Sequence, residues 1–132
     1  MIERPVVLYD ADCGFCRWSL GVILAWDRRR RLRPVAIDSP EGAGLLSDLD
    51  RERREGSWHF VDLDGNRSSG GAAAAPLLHQ LPGGGPMAAL VERFPRLTER
   101  CYRWVTRNRG RFGKAVPAGA KARADARIEQ RL

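Results

Sequence analysis

Residues 6–16 read VVLYDADCGFC, and the fold turns on how this stretch is divided. Val6 to Tyr9 is an apolar run too short for a helix and bounded by Pro5 and Asp10, so it predicts a buried strand. Asp12 is a good N-cap residue type, and from Cys13 to about Arg29 the pattern is helical. Asp10, Asp12, Cys13 and Cys16 are therefore expected together at a strand-to-helix junction. Three chemistries want parts of that set: thiol–disulfide exchange, zinc binding and aspartyl phosphoryl transfer.

Outward from this junction, Phe15, Trp18, Leu20, Val22, Ile23, Leu24 and Trp26 make the predicted helix apolar over most of its circumference, which predicts burial. Arg28–Arg31 would occupy its last turn, where cations suit the helix dipole. LRPVAID (32–38) predicts a second strand, and Ser39-Pro40-Glu41 opens a second helix that runs through GLLSDLDRERRE. SWHFVDLDGN (57–66) predicts a third strand entering an Asp64-Gly65 turn, with Arg67–Ser69 returning as a short edge strand. GGAAAAPLLHQL predicts a helix with Pro76 near its middle, and LPGGGP breaks the chain.

A long helix over 87–108, kinked near Pro95, comes next. Leu90, Phe94, Leu97, Cys101, Trp104 and Val105 recur in it at spacings of three and four, predicting a core face. Arg96, Arg100, Arg103 and Arg107 would then point outward. The order β-α-β-α-β-β-α is that of the thioredoxin fold, an α/β class, here with a C-terminal helical extension and a basic tail. Residues 1–113 are expected to form a single domain. Residues 114–132, poor in apolar side chains, are expected to be flexible.

Composition fits that picture. A chain of 132 residues, 43% apolar and 30% charged, is large enough to bury a core without disulfide staples. Three cysteines are too few for a disulfide framework. No signal peptide is visible after Met1, and the longest apolar stretch, Trp18 to Trp26, falls far short of the ~20 residues of a membrane span. The expectation is a cytoplasmic protein, where a cysteine pair is more often catalytic or metal-binding than structural. The net charge of +7 is uneven: residues 93–132 carry 12 Lys and Arg against three acids. Such a segment is either a solvated basic surface or a contact for nucleic acid or an acidic partner.

Residues i and i+3 of a helix share a face, within reach of disulfide geometry. Cys13 in the first turn would meet unpaired N–H groups and the positive dipole end, which favour a thiolate, whereas Cys16 lies a turn deeper. This predicts that Cys13 attacks and Cys16 resolves. Asp12 reads as the helix cap. Asp10 reads either as a partly buried proton shuttle for Cys16 or as a solvated strand-end residue. Zinc needs further ligands, and Cys101, His59 and His79 are scattered, so no metal is expected. VVLYDAD resembles the first motif of haloacid-dehalogenase-type phosphatases. That chemistry also needs a later lysine and an acidic pair, and the only lysines are Lys114 and Lys121.

LYDADCGFCRW resembles the Asp-x-x-Cys-x-x-Cys signature of the DCC family of predicted thiol–disulfide oxidoreductases, matched by Asp10, Cys13 and Cys16. HFVDLDGNRSSGGAAAAPLLHQLPG and CYRWVTRNRGRF are similar to later segments of that family, the second supplying Tyr102, Asn108 and Arg109. The resemblance spans about residues 5–113. It implies dithiol/disulfide cycling with no bound cofactor, a protein or small-molecule thiol or disulfide as substrate, and an unidentified reductant. Thioredoxins carry a cis-proline where this chain has Ser57. A cis bond there would cost about 2.5–4 kcal/mol, so a trans bond is expected. Ser57 and Trp58 are still expected to face the cysteine pair. The alternative reading is a binding module whose basic C-terminal helix contacts nucleic acid or an acidic partner.

Overall fold

A computed structural model of the chain describes residues 3–131. Its centre is β1 (Val6–Tyr9), which pairs in parallel with β2 (Arg33–Ala36) and antiparallel with β3 (His59–Val61). A hairpin through Gly65, whose φ of 85° suits glycine, joins β3 to the edge strand β4 (Arg67–Ser69). The sheet order is β2-β1-β3-β4. All four β1 residues are buried because both faces of the sheet are covered. Alternation sends Val7 and Tyr9 to one face with Leu20, Leu24, Phe60, Leu77 and Ile128. Val6 and Leu8 meet Val35, Ile37, Leu46 and Val61 on the other. The result is a mixed α/β structure with a four-stranded sheet.

Eight α-helices surround the sheet among the described residues. α1 (Gly14–Trp26) follows β1 and buries Leu20, Gly21 and Leu24, while Val22 lies 48% exposed. Its apolar circumference is thus covered only in part. The helix ends at Trp26, so Arg28–Arg31 belong to the turn beyond it and not to its last turn. The expected second helix is two short ones, α2 (Pro40–Leu45) and α3 (Arg51–Glu55). Each has its own cap: Ser39 Oγ accepts from the Gly42 N–H at 3.1 Å, and Asp50 Oδ1 from the Arg53 N–H at 2.9 Å.

α4 (Ala74–Gln80) follows a 3-10 turn, which places Pro76 in its first turn, where a missing N–H costs nothing. The expected long helix divides at Phe94 into α5 (Gly85–Arg93) and α6 (Pro95–Arg107). The residue before a proline is pushed out of the helical region, and Phe94 sits at φ −124°, ψ 63°. α7 (Arg109–Ala115) and α8 (Ala118–Glu129) complete the chain.

Two expectations are corrected here. Residues 118–129 of the supposed flexible tail are helical, and α8 lies along α1. Gly21 makes this possible, since a Cβ there would collide with Ala124. Ala124 and Ile128 are buried, and just beyond α8 Arg131 reaches Asp27, whose side chain is fully buried. The Asp27 carboxylate accepts from Arg131 at 2.8 Å and from the Arg31 and Leu32 N–H groups at 3.1 and 2.9 Å. The guanidinium also donates to the carbonyls of Leu24, Asp27 and Leu32.

The second correction concerns α5 and α6, along which the periodic apolar residues are not core. Leu90, Phe94, Leu97 and Trp104 are 60%, 46%, 57% and 54% exposed, Cys101 is exposed, and Val105 is only half-buried. The inward side of α6 is instead Thr98, Glu99, Tyr102 and Thr106, with Glu99 Oε2 accepting from the Gly71 N–H at 2.9 Å.

Two predictions follow from this packing. Breaking a buried ion pair strands a charge, so Arg131→Ala is expected to lower unfolding free energy by about 3–5 kcal/mol, read from urea denaturation. His59 is 1% exposed, with Nε2 3.1 Å from the Arg54 carbonyl and Nδ1 2.6 Å from Ser69 Oγ. The carbonyl only accepts, so Nε2 carries a proton. Burial, aided by the charge of Arg67, pushes the His59 pKa below 6.5. The unfolded chain then takes up a proton near 6.5 that the native state resists. Stability should be full above that pH and decline as pH falls through it, and His59→Gln should flatten this decline in urea midpoints.

Candidate active site

After β1 the chain turns tightly. Asp10 Oδ1 accepts from the Asp12 N–H at 3.0 Å, and the Asp10 carbonyl accepts from the Cys13 N–H at 3.2 Å. The turn ties up the Asp12 backbone and leaves its side chain exposed, so α1 starts later than an Asp12 cap would require. Cys13 is the cap: it is extended at φ −100°, ψ 113°, and its Sγ accepts from the Cys16 N–H at 3.3 Å.

Cys16 lies one turn into α1 and is half-buried. Its pKa is pushed up to about 12, chiefly by burial and then by a hydrogen bond to the Cys13 side chain and that group's charge. Arg109 opposes the rise, and the Asp10 charge adds to it. Both cysteines are free thiols, as is the exposed Cys101, which was expected in the core.

Behind Cys16 lies a cavity of about 220 Å³ lined mainly by apolar surface, with walls from β1, α1, the segment before β3 and α6. It gathers Asp10, Cys16, Ser57, Trp58, Tyr102 and Arg109 from four parts of the chain. The Tyr102 hydroxyl accepts from the Trp58 N–H at 3.1 Å, tying α6 to the strand entry. Burial raises the Tyr102 pKa, and the Cys16 charge adds to the rise. No peptide bond among the described residues is cis, Gly56–Ser57 included.

Two of the residues singled out in the sequence stand apart. Asp12 points to solvent, and Asn108 caps α6, its Nδ2 donating to the Trp104 carbonyl at 2.8 Å. Other residues join unannounced. Val105 and Thr106 line the cavity three and four positions after Tyr102, a helical spacing that could have marked them. The Phe112 ring packs at a tilt against Phe15, centroids 5.4 Å apart, and against Trp104 at 5.6 Å, covering the α1 side. Glu55 and Lys121 had no local signal: Glu55 reaches the cavity from the end of α3, and Lys121 Nζ would lie 3.5 Å from a Cβ on Gly14. The two histidines are engaged elsewhere, His59 with Ser69 and His79 with Glu92.

A family model described as DCC1-like thiol-disulfide oxidoreductase matches residues 7–115, and the chain belongs to that family. No curated protein and no solved structure matches it significantly.

A thiol held near pKa 12 is almost wholly protonated at neutral pH. In a Cys101→Ser background, iodoacetamide near pH 7 should therefore modify Cys13 and spare Cys16, as read by peptide mass spectrometry. Faster labelling of Cys16 would reverse the order of the two thiols.

Proposed function

We propose that this member of the DCC1-like thiol-disulfide oxidoreductase family works through a Cys13–Cys16 couple on a thioredoxin-like scaffold. The β2-β1-β3-β4 sheet, with its parallel β-α-β unit and following hairpin, supports the scaffold. The observation that carries the chemistry is the pairing of two unlike thiols. Cys13 Sγ caps α1, while Cys16 lies one turn into the helix against the cavity, half-buried and protonated.

In the cycle, the Cys13 thiolate attacks one sulfur of a substrate disulfide. The substrate S–S bond breaks, the leaving thiolate takes a proton, and a mixed disulfide remains on Cys13. Cys16 then loses its proton and attacks the Cys13 sulfur, releasing the second substrate thiol and leaving a Cys13–Cys16 disulfide. Two electrons pass to the substrate, and a dithiol reductant restores the pair.

The second step sets the demand on the site. With a pKa of about 12, only roughly 10⁻⁵ of Cys16 is ionised at pH 7, so resolution needs a base and a counter-charge. Asp10 is the candidate base, and Arg109 is the cation that favours the Cys16 thiolate. Ser57 and Trp58 form the wall against which a substrate would lie, and Tyr102 fixes that wall. No bound cofactor enters the cycle. The working compartment in this proposal is the cytoplasm, where a dithiol is the resting form. Among the described residues no helix is long and apolar enough to cross a membrane.

Asp10→Asn tests the base, because Asn retains the acceptor that the Asp12 N–H uses. Single-turnover reaction with an aromatic disulfide should show a normal first thiol release. The second should be slowed about 10²–10⁴-fold, as for loss of a positioned base. An unchanged pH–rate profile for the second release would make Asp10 purely structural.

A further inference from the structure

We propose that α6, with the adjoining end of α5, is a docking surface for an anionic phospholipid bilayer. The helix is turned the unusual way round: its inward side is polar and hydrogen-bonded, while its apolar side faces solvent. Leu97, Cys101 and Trp104, spaced four and three apart, form one exposed stripe, which Phe94 continues. Leu90 and Met87 on α5 are likewise more than half exposed. Scattered exposed leucines need no explanation, but a run along a helix does.

Charge identifies the occupant. Arg96, Arg100, Arg103 and Arg107 follow the helical repeat along the edge of the apolar stripe, and Arg93 stands over the Phe94 ring. Among the described residues Arg93, Arg96, Arg100 and Arg107 enter no ion pair, and only Arg103 meets a carboxylate, Glu99. The local acids are engaged: Glu99 with Gly71 and Arg103, and Glu92 with His79.

A short helix of low mean hydropathy, with Phe, Leu and Trp on one arc and arginines on the next, suits a membrane interface. Its apolar arc enters the acyl boundary, its guanidiniums meet lipid phosphates, and its tryptophan rests at headgroup level. A nucleic acid would satisfy the arginines but leave Phe94, Leu97 and Trp104 in water. Trp104 also packs against Phe112, which packs against Phe15 beside the cysteine pair. Docking would therefore hold the thiol site close to the membrane plane.

The test is co-sedimentation of the full chain with vesicles of phosphatidylglycerol and phosphatidylcholine, against phosphatidylcholine alone, at ~0.15 M salt. The expected result is binding to the anionic vesicles, at least tenfold weaker binding to the neutral ones, and weakening as salt rises. Arg96→Gln and Arg100→Gln should each reduce partitioning about fivefold. Leu97→Gln with Trp104→Gln should reduce it at least tenfold while leaving the far-ultraviolet circular dichroism of the folded chain unchanged. Absence of binding to anionic vesicles overturns the proposal. So does binding that survives the apolar double variant, or tighter binding to an RNA or DNA duplex that depends on the same arginines. Self-association lost in the double variant, without vesicle binding, would assign the stripe to a second copy of the chain instead.

Discussion

Asp27 is a fully buried carboxylate at the end of α1, and the chain returns 104 residues later with Arg131 to meet it. A helix ends with orphan carbonyls, and here Leu24 and Asp27 present theirs to the Arg131 guanidinium. The Leu32 carbonyl, at the entrance to β2, is held by the same group. A buried ion pair adds little net stability over an apolar substitute, but it is intolerant of displacement. One cation thus fixes three things together: the end of α1, the start of β2 and the register of α8 against α1. The close passage of Ala124 over Gly21 and the place of Lys121 beside Gly14 depend on that register. Both thiols stand at the other end of α1, so their position over the sheet is set partly from the C-terminus.

What was legible in the sequence divides by the range of the signal. β1, β2 and the β3–β4 hairpin could be read because short apolar runs, Pro5 and Asp64-Gly65 act within a few residues. The Cys13-x-x-Cys16 spacing could be read, but helical spacing put Cys13 in the first turn of α1, whereas it is the extended cap just before that turn. Asp12 was misassigned by one position, since an aspartate suits both a cap and a tight turn and only the backbone decides between them. The α8 contact was invisible for another reason. Helices that approach closely do so through glycine and alanine, so the tightest contact, Gly21 on Ala124, has almost no hydrophobic signal. Its anchor is a pairing of Asp27 with Arg131, which no local window contains.

α6 shows a different limit. Periodicity establishes that Phe94, Leu97, Cys101 and Trp104 share a face, and they do. It says nothing about which way that face points. Direction was decided by hydrogen bonds: Tyr102 receives the Trp58 N–H and Glu99 receives the Gly71 N–H. Each of those backbone donors would be costly to bury without a partner. The polar face turned inward because the segment before β3 and the turn before α4 had N–H groups to satisfy. The apolar face was left outward.

The same inward face bears on the chemistry. Tyr102, Val105 and Thr106 help close the cavity behind Cys16, and exclusion of water there is the largest cause of that thiol's raised pKa. The next causes in size come from Cys13 itself, through a hydrogen bond and through charge. In the proposed cycle both are lost when Cys13 enters a mixed disulfide, because its sulfur is then neutral and bonded to substrate. The Arg109 charge, which favours the Cys16 thiolate, remains. Cys16 would therefore be hardest to ionise while Cys13 is free and easier once Cys13 has reacted. In that cycle the resolving thiol would be suppressed while Cys13 is free and released once its own attack is needed. That ordering would need no moving part, since the two thiols stand three residues apart at the start of α1 and Cys16 lines an apolar cavity.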